Sequence, residues 1–132
     1  DSVFFSGYWT NRLSEPARPR DMNIDLTNKI EFLPVFEEQI GVRFEAIYAY
    51  DDGCGHIYVN GELHPSHGVH LSQSVEVVLC AYDSKGRLIE KSTAWCTAES
   101  FFGFEAFSLI ILTHSRDGLD PIAKLRLFPK SM

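Results

Sequence analysis

Residues 74–97 read SVEVVLCAYDSKGRLIEKSTAWCT. From Val77 to Tyr82 every position is apolar, a pattern a strand carries when both of its faces are covered. Asp83-Ser84-Lys85-Gly86 follows, with an acid to open a type I turn and a glycine for the left-handed position of a G1 bulge. LIEKSTAWCT then returns as an antiparallel partner. Pairing Asp83 with Arg87 sets Ala81 against Ile89 and Cys80 against Glu90. Cys96 then falls opposite Ser74, about 20 Å from the level of Cys80 at 3.3 Å per residue. A disulfide needs Cα atoms within about 7 Å, so these two thiols should stay unbonded.

The same signature spreads outward from this hairpin. In VRFEAIYAY (42–50), Val42, Phe44, Ala46, Tyr48 and Tyr50 share one face, and β-branched and aromatic residues dominate. DDGCG makes a turn. In HIYVNGEL (56–63), Ile57, Val59, Gly61 and Leu63 point one way, while His56, Tyr58, Asn60, Glu62 and then His64 point the other. Alternation runs through Asn60-Gly61, so this hairpin-type dipeptide is read as mid-strand. FGFEAFSLIIL (102–112) and IAKLRLF (122–128) are further strands, the last with Ala123, Leu125 and Leu127 inward and Pro129 at its end. NIDLTNKIEFL (23–33) reads as an edge strand, with Asn28 the one polar residue on its apolar side. Pro34 stops it, and VFEEQIG forms a helical turn.

We therefore expect an all-β fold, a seven-stranded antiparallel β-sandwich of immunoglobulin or fibronectin III type. The 132 residues suit one domain. Residues 23–132 form the sandwich. Residues 1–22, with SEPARPRD, form an N-terminal extension or linker in which Tyr8-Trp9 is the apolar part.

At LCAYDSKGRLI the chain resembles the bacterial FxLYD-type domains and their immunoglobulin-like relatives. A glycine-bearing strand (YVNGEL) precedes a loop, and a central strand ends in Tyr82-Asp83 before a Gly86 hairpin. The likeness covers residues 56–128. Leu79 stands where that family has Phe, and Ala81 where it has Leu. The resemblance implies a non-catalytic sandwich of the kind appended to cell-envelope proteins, and it names no ligand.

A net charge of −6 and scattered cations, densest at Arg18-Pro19-Arg20, argue against nucleic acid and anionic membranes as partners. No apolar run reaches the roughly 18 residues of a membrane span, so no membrane insertion is expected. Three cysteines, an odd number, favour a cytoplasmic setting over a fully paired secreted framework. The start at Asp1 rather than Met reads as a fragment or processed form and leaves a periplasmic or secreted protein open.

Two groups of residues could carry function. Cys54, His56, His64, His67 and His70 form a donor pool for zinc or copper, three or four of which could ligate at once. Glu62 shares the strand parity of His64. HPSHG is also good turn chemistry, and the turn is the stronger of the two readings. The second group is aromatic: Phe101, Phe102, Phe104 and Phe107 divide between two faces, with 101 and 107 on one and 102 and 104 on the other. One pair should be core and the other needs cover, from Tyr8 and Trp9 or from a partner. Neither a nucleophile elbow nor a phosphate-cradling loop is present, and Asp51-Asp52 reads as a pair of turn acids. We expect a non-enzymatic interaction or structural module. Its partner would be another protein or a second copy, met through edge strands and the Phe101–Phe107 region, with metal binding as the alternative.

Overall fold

The computed structural model describes residues 23–113 and 122–132. The strands are β1 (Ile24–Asp25), β2 (Ile30–Phe32), β3 (Val42–Asp51), β4 (His56–Pro65), β5 (Val75–Asp83), β6 (Leu88–Cys96), β7 (Glu105–Leu112) and β8 (Ile122–Ser131), with one helix, α1 (Pro34–Ile40). They form two four-stranded sheets, β1-β3-β4-β7 and β2-β8-β5-β6. Val59, Leu63, Leu109 and Ile111 from the first sheet join Val75, Val77, Leu79, Leu125 and Leu127 from the second in a single core. The fold is all-β, a sandwich of two layers.

The expected first strand is broken in two, which gives eight strands among the described residues rather than the seven expected. Thr27–Lys29 is a 3₁₀ turn, placed where continued pairing would have turned polar Asn28 inward. Before the turn, β1 pairs antiparallel with β3, and after it β2 pairs parallel with β8. The segment thus changes sheets. Leu26 sinks into the core at the crossing. Thr27 takes over from the ladder there, its Oγ1 accepting the Ala49 N–H at 2.9 Å. Pro34 does not merely stop a strand. It occupies the first turn of α1, where its missing N–H is harmless, and Gly41 at φ 85° closes the helix by donating to the Glu37 carbonyl.

β4 alternates between covered and half-covered positions from His56 to Pro65 as expected, straight through Asn60-Gly61. Its neighbour β3 does not follow the expected parity. Glu45 pairs with Glu62 but Tyr48 pairs with Asn60, so β3 carries one extra residue there. Ala46 absorbs it at φ 57°, a conformation uncommon outside glycine and asparagine. Val42, Phe44, Ile47 and Ala49 consequently face the core or its rim, while Tyr48 and Tyr50 turn to the outer face. The partner position is glycine for a steric reason: a Cβ on Gly61 would collide with Ile47 Cδ1 and lie 3.1 Å from Phe107 Cζ.

β5 is the central strand that its apolar run implied, with Val75, Val77, Leu79 and Ala81 fully covered. Its turn to β6 has the expected form, Gly86 at φ 78° and its N–H on the Asp83 carbonyl. The register beyond it slips by one. Tyr82 pairs with Leu88 but Ala81 with Glu90, so Ile89 bulges out. Cys96 lies opposite Val75, and all three cysteines are free. Burial pushes the Cys96 thiol up to about 11, with the charge of Glu105 adding to the effect. β8 continues through Pro129 to Ser131 instead of ending there. β2 pairs with β8 only at Leu125, Arg126 and Leu127, so Pro129, although buried, lies beyond that ladder, where no β2 partner calls for its missing donor. The outer face of this sheet is laced with charge: Arg126 reaches Glu31 at 2.7 Å and, with Lys124, lies over the Tyr82 ring.

Asp83 anchors the β5–β6 turn. Its Oδ1 accepts the N–H groups of Arg87 and Lys85, each at 2.9 Å, and its Oδ2 accepts Arg87 Nε at 2.8 Å. The Arg87 N–H above all holds this carboxyl below its ordinary value. A lowered folded value stabilises above the unfolded value of about 3.9 and the contribution is lost as pH falls through the folded value. Asp83→Asn should therefore lower the melting temperature at pH 7 and flatten its decline in acid. An unaltered acid limb would remove Asp83 from the account. Ala46→Gly should hold or raise stability by up to about 1 kcal/mol, while Ala46→Val should lower it by about 1–3 kcal/mol, read from urea midpoints.

Candidate functional site

The extra residue in β3 collects one set of side chains on the outer face of the first sheet. Arg43 and Glu45, ahead of it, and Tyr48 and Tyr50, behind it, have opposite sequence parity yet project the same way. β4 adds His56, Tyr58, Asn60, Glu62 and His64, and β7 adds Ser108, Ile110 and Leu112.

One half of this face is aromatic. Tyr48 stacks on Tyr50 with centroids 5.1 Å apart, Tyr50 on Tyr58 across the strands at 5.0 Å, and Tyr58 meets His56 at 5.9 Å. Tyr58 pairs with Ile110 and His56 with Leu112. Ile110 is 46% and Leu112 53% exposed, so the apolar row runs to the sheet edge uncovered. At its end Asp52 binds His56 Nδ1 at 3.1 Å and accepts the N–H groups of Cys54 and His56. Burial raises the Asp52 carboxyl, but these donors and the imidazole together outweigh it and leave it below its ordinary value.

The other half is charged. Glu45 and Glu62 lie directly opposite one another. His64 Nε2 is 2.9 Å from Glu62 Oε1 and 3.7 Å from Glu45 Oε1. Arg43 Nε holds the other oxygen of Glu45 at 2.6 Å, while its terminal nitrogen donates to the Pro65 carbonyl at 2.6 Å. The Arg43 hydrogen bond, with the charge of His64, keeps the Glu45 carboxyl below its usual range. His64 itself lies flat on Phe104, with centroids 5.2 Å apart and planes 9° apart.

The Cys/His pool does not converge. His56 belongs to Asp52, and His70 sits edge-on to Phe102 at 5.5 Å. Cys54 is exposed in the β3–β4 turn, and His67 lies in the exposed loop after β4. His64 alone joins a donor group. Its companions Glu45 and Glu62 make up the only cluster of its kind among the described residues. Glu62 had the right strand parity in the sequence. Glu45 was missed, because counting back from the turn without a bulge sets it against Leu63, on the core side.

The four phenylalanines divide as their spacing implied. Phe101 and Phe107 are core, whereas Phe102 is 69% and Phe104 51% exposed. The segment is not strand, however: β7 starts at Glu105. The Gly103 N–H donates to the Val69 carbonyl at 2.7 Å, which seats Phe102 and Phe104 beside the histidine loop. Tyr8 and Trp9 lie outside the described residues. Among the described residues no helix is long and apolar enough to cross a membrane. Compared with known proteins, the chain matches no family model, no curated sequence and no solved structure.

Tyr50 touches both neighbours in the ladder, so its loss should be felt through them. A double-mutant cycle of Tyr50→Ala and Tyr58→Ala should return a coupling of about 0.5–1.5 kcal/mol. Strict additivity in urea titrations would mean that the rings merely sit side by side.

Proposed function

We propose that this chain is a non-catalytic interaction module that pairs with a second copy of itself through β7. The observation that carries the reading is the chemistry of that edge. β7 is the last strand of its sheet among the described residues. Its outward positions are Ala106, Ser108, Ile110 and Leu112, and its pairing with β4 contains no bulge. Edge strands that avoid association carry charges, proline or a bulge, and residues 106–112 carry none of these. A second copy suits the edge because it is self-complementary. An antiparallel two-fold centred on Ser108 sets Ala106 against Ile110 and Phe104 against Leu112, without opposing charges. Across such a pair the Tyr58–Ile110 row of one copy would run through Ala106 of the other to its Glu62, so the aromatic half of each copy would border the charged half of its partner.

The finer reading of the fold, an immunoglobulin-like sandwich, is part of this proposal. It is supported by β4 beside β7 in one sheet and β5 beside β8 in the other, the crossed neighbours that B–E and C–F make in that architecture. β6 departs from the scheme of constant-type domains by remaining with β5.

Sedimentation of the full chain should give a mass that rises with concentration to two chains. Ile110→Lys should hold it at one chain with an unchanged circular dichroism spectrum, since the side chain is outside the core. A wild-type protein at single-chain mass at every concentration up to about 1 mM would overturn the reading.

A further inference from the structure

Two carboxylates directly opposite on neighbouring strands repel one another, and Glu45 and Glu62 are held in that relation by the β3–β4 register. Something of positive charge belongs between them. Arg43 does not fill that place. It takes Oε2 of Glu45, whereas Oε1 is the oxygen turned to His64. The imidazole is oriented from outside the charged group, by its stacking on Phe104, and brings a single nitrogen, Nε2, to both carboxylates.

We propose that Glu45, Glu62 and His64 form a divalent-cation site whose fitting ion is zinc. Zinc takes imidazole nitrogen and carboxylate oxygen at 2.0–2.2 Å, and tetrahedral donors then stand roughly 3.4 Å apart. The two spacings from Nε2, 2.9 and 3.7 Å, bracket that value, and all three donor atoms lie within 4.8 Å of one another. Small side-chain rotations of groups that are 18%, 34% and 43% exposed would close the remainder. Calcium and magnesium prefer oxygen alone, so the nitrogen donor selects the zinc-like ions. Three protein donors on an outer face leave a fourth position to water, the pattern of zinc sites that stay open. Arg43 and Phe104 are positioning residues: one grips the rear oxygen of Glu45 and the other fixes the ring plane of His64, as outer partners commonly do for ligands.

The three ligand residues are distinct from the β7 edge and from the histidine loop, with only Phe104 bordering all three, and the test keeps them apart. Zinc chloride is titrated calorimetrically into chelator-stripped full chain at pH 7.5, with a thermal melt of every variant as a folding control. One zinc per chain should bind. Glu62→Gln and His64→Gln should each weaken binding at least tenfold, and Phe104→Leu should weaken it severalfold while its melt still shows a cooperative transition. A His67→Ala, His70→Ala double variant and Ile110→Lys should bind as the wild type does. Three results would each overturn the proposal: no saturable uptake below about 1 mM zinc, unchanged affinity in both Glu62→Gln and His64→Gln, or loss of binding in the His67/His70 variant.

Discussion

A single extra residue in β3, taken up by Ala46 in a left-handed conformation, is the constraint on which the first sheet depends. Strand side chains alternate with a period of two, so one added residue exchanges the faces of everything beyond it. Without it, Tyr48 and Tyr50 would enter the core whenever Val42 and Phe44 did. With it, both halves of β3 turn apolar residues inward, Val42 and Phe44 before it and Ile47 and Ala49 after it, and both halves contribute to the same outer face. The charged group around Glu45 and the aromatic group around Tyr50 therefore share a surface because of one backbone torsion. Gly61 is the matching half of this device, since any side chain there would occupy the space that Ile47 and Phe107 fill.

This explains what could be read from the residues and what could not. β4 was legible because its alternation is uninterrupted and its polar members are large and hydrophilic. β5 was legible because a strand covered on both faces must be apolar throughout, and its turn was legible from Asp83 and Gly86. The bulge in β3 left no mark in the sequence: alanine occupies the position where glycine or asparagine would have signalled it. The missed register then hid Glu45 from the donor set. The bulge at Ile89 was hidden in the same way, behind a turn whose own form was read correctly. The broken first strand did leave a mark, Asn28 on the wrong face. Pro129 misled because the rule against proline applies to doubly paired strands, and pairing partners are not visible in one strand's sequence.

The histidine-rich stretch illustrates how spacing can suggest a common purpose that the fold divides. Three histidines at even intervals look like one donor set. In the folded chain two are drawn to different phenylalanines, each of which would otherwise stand bare at the surface. His56 is held by the acid that shapes the preceding turn. Only His64 keeps its strand parity together with carboxylates, and those come from its own strand and the next.

The change of sheet between β1 and β2 has a consequence for assembly. By pairing with β3 and then with β8, this short segment borders both sheets along one flank with strands of two and three residues, which cover only Tyr50 and Asp51 of β3 and Leu125 to Leu127 of β8. The opposite flank, with β6 and β7, keeps its length. The contact proposed through β7 would lie on that long flank, so the segment that changes sheets would stay outside the pair.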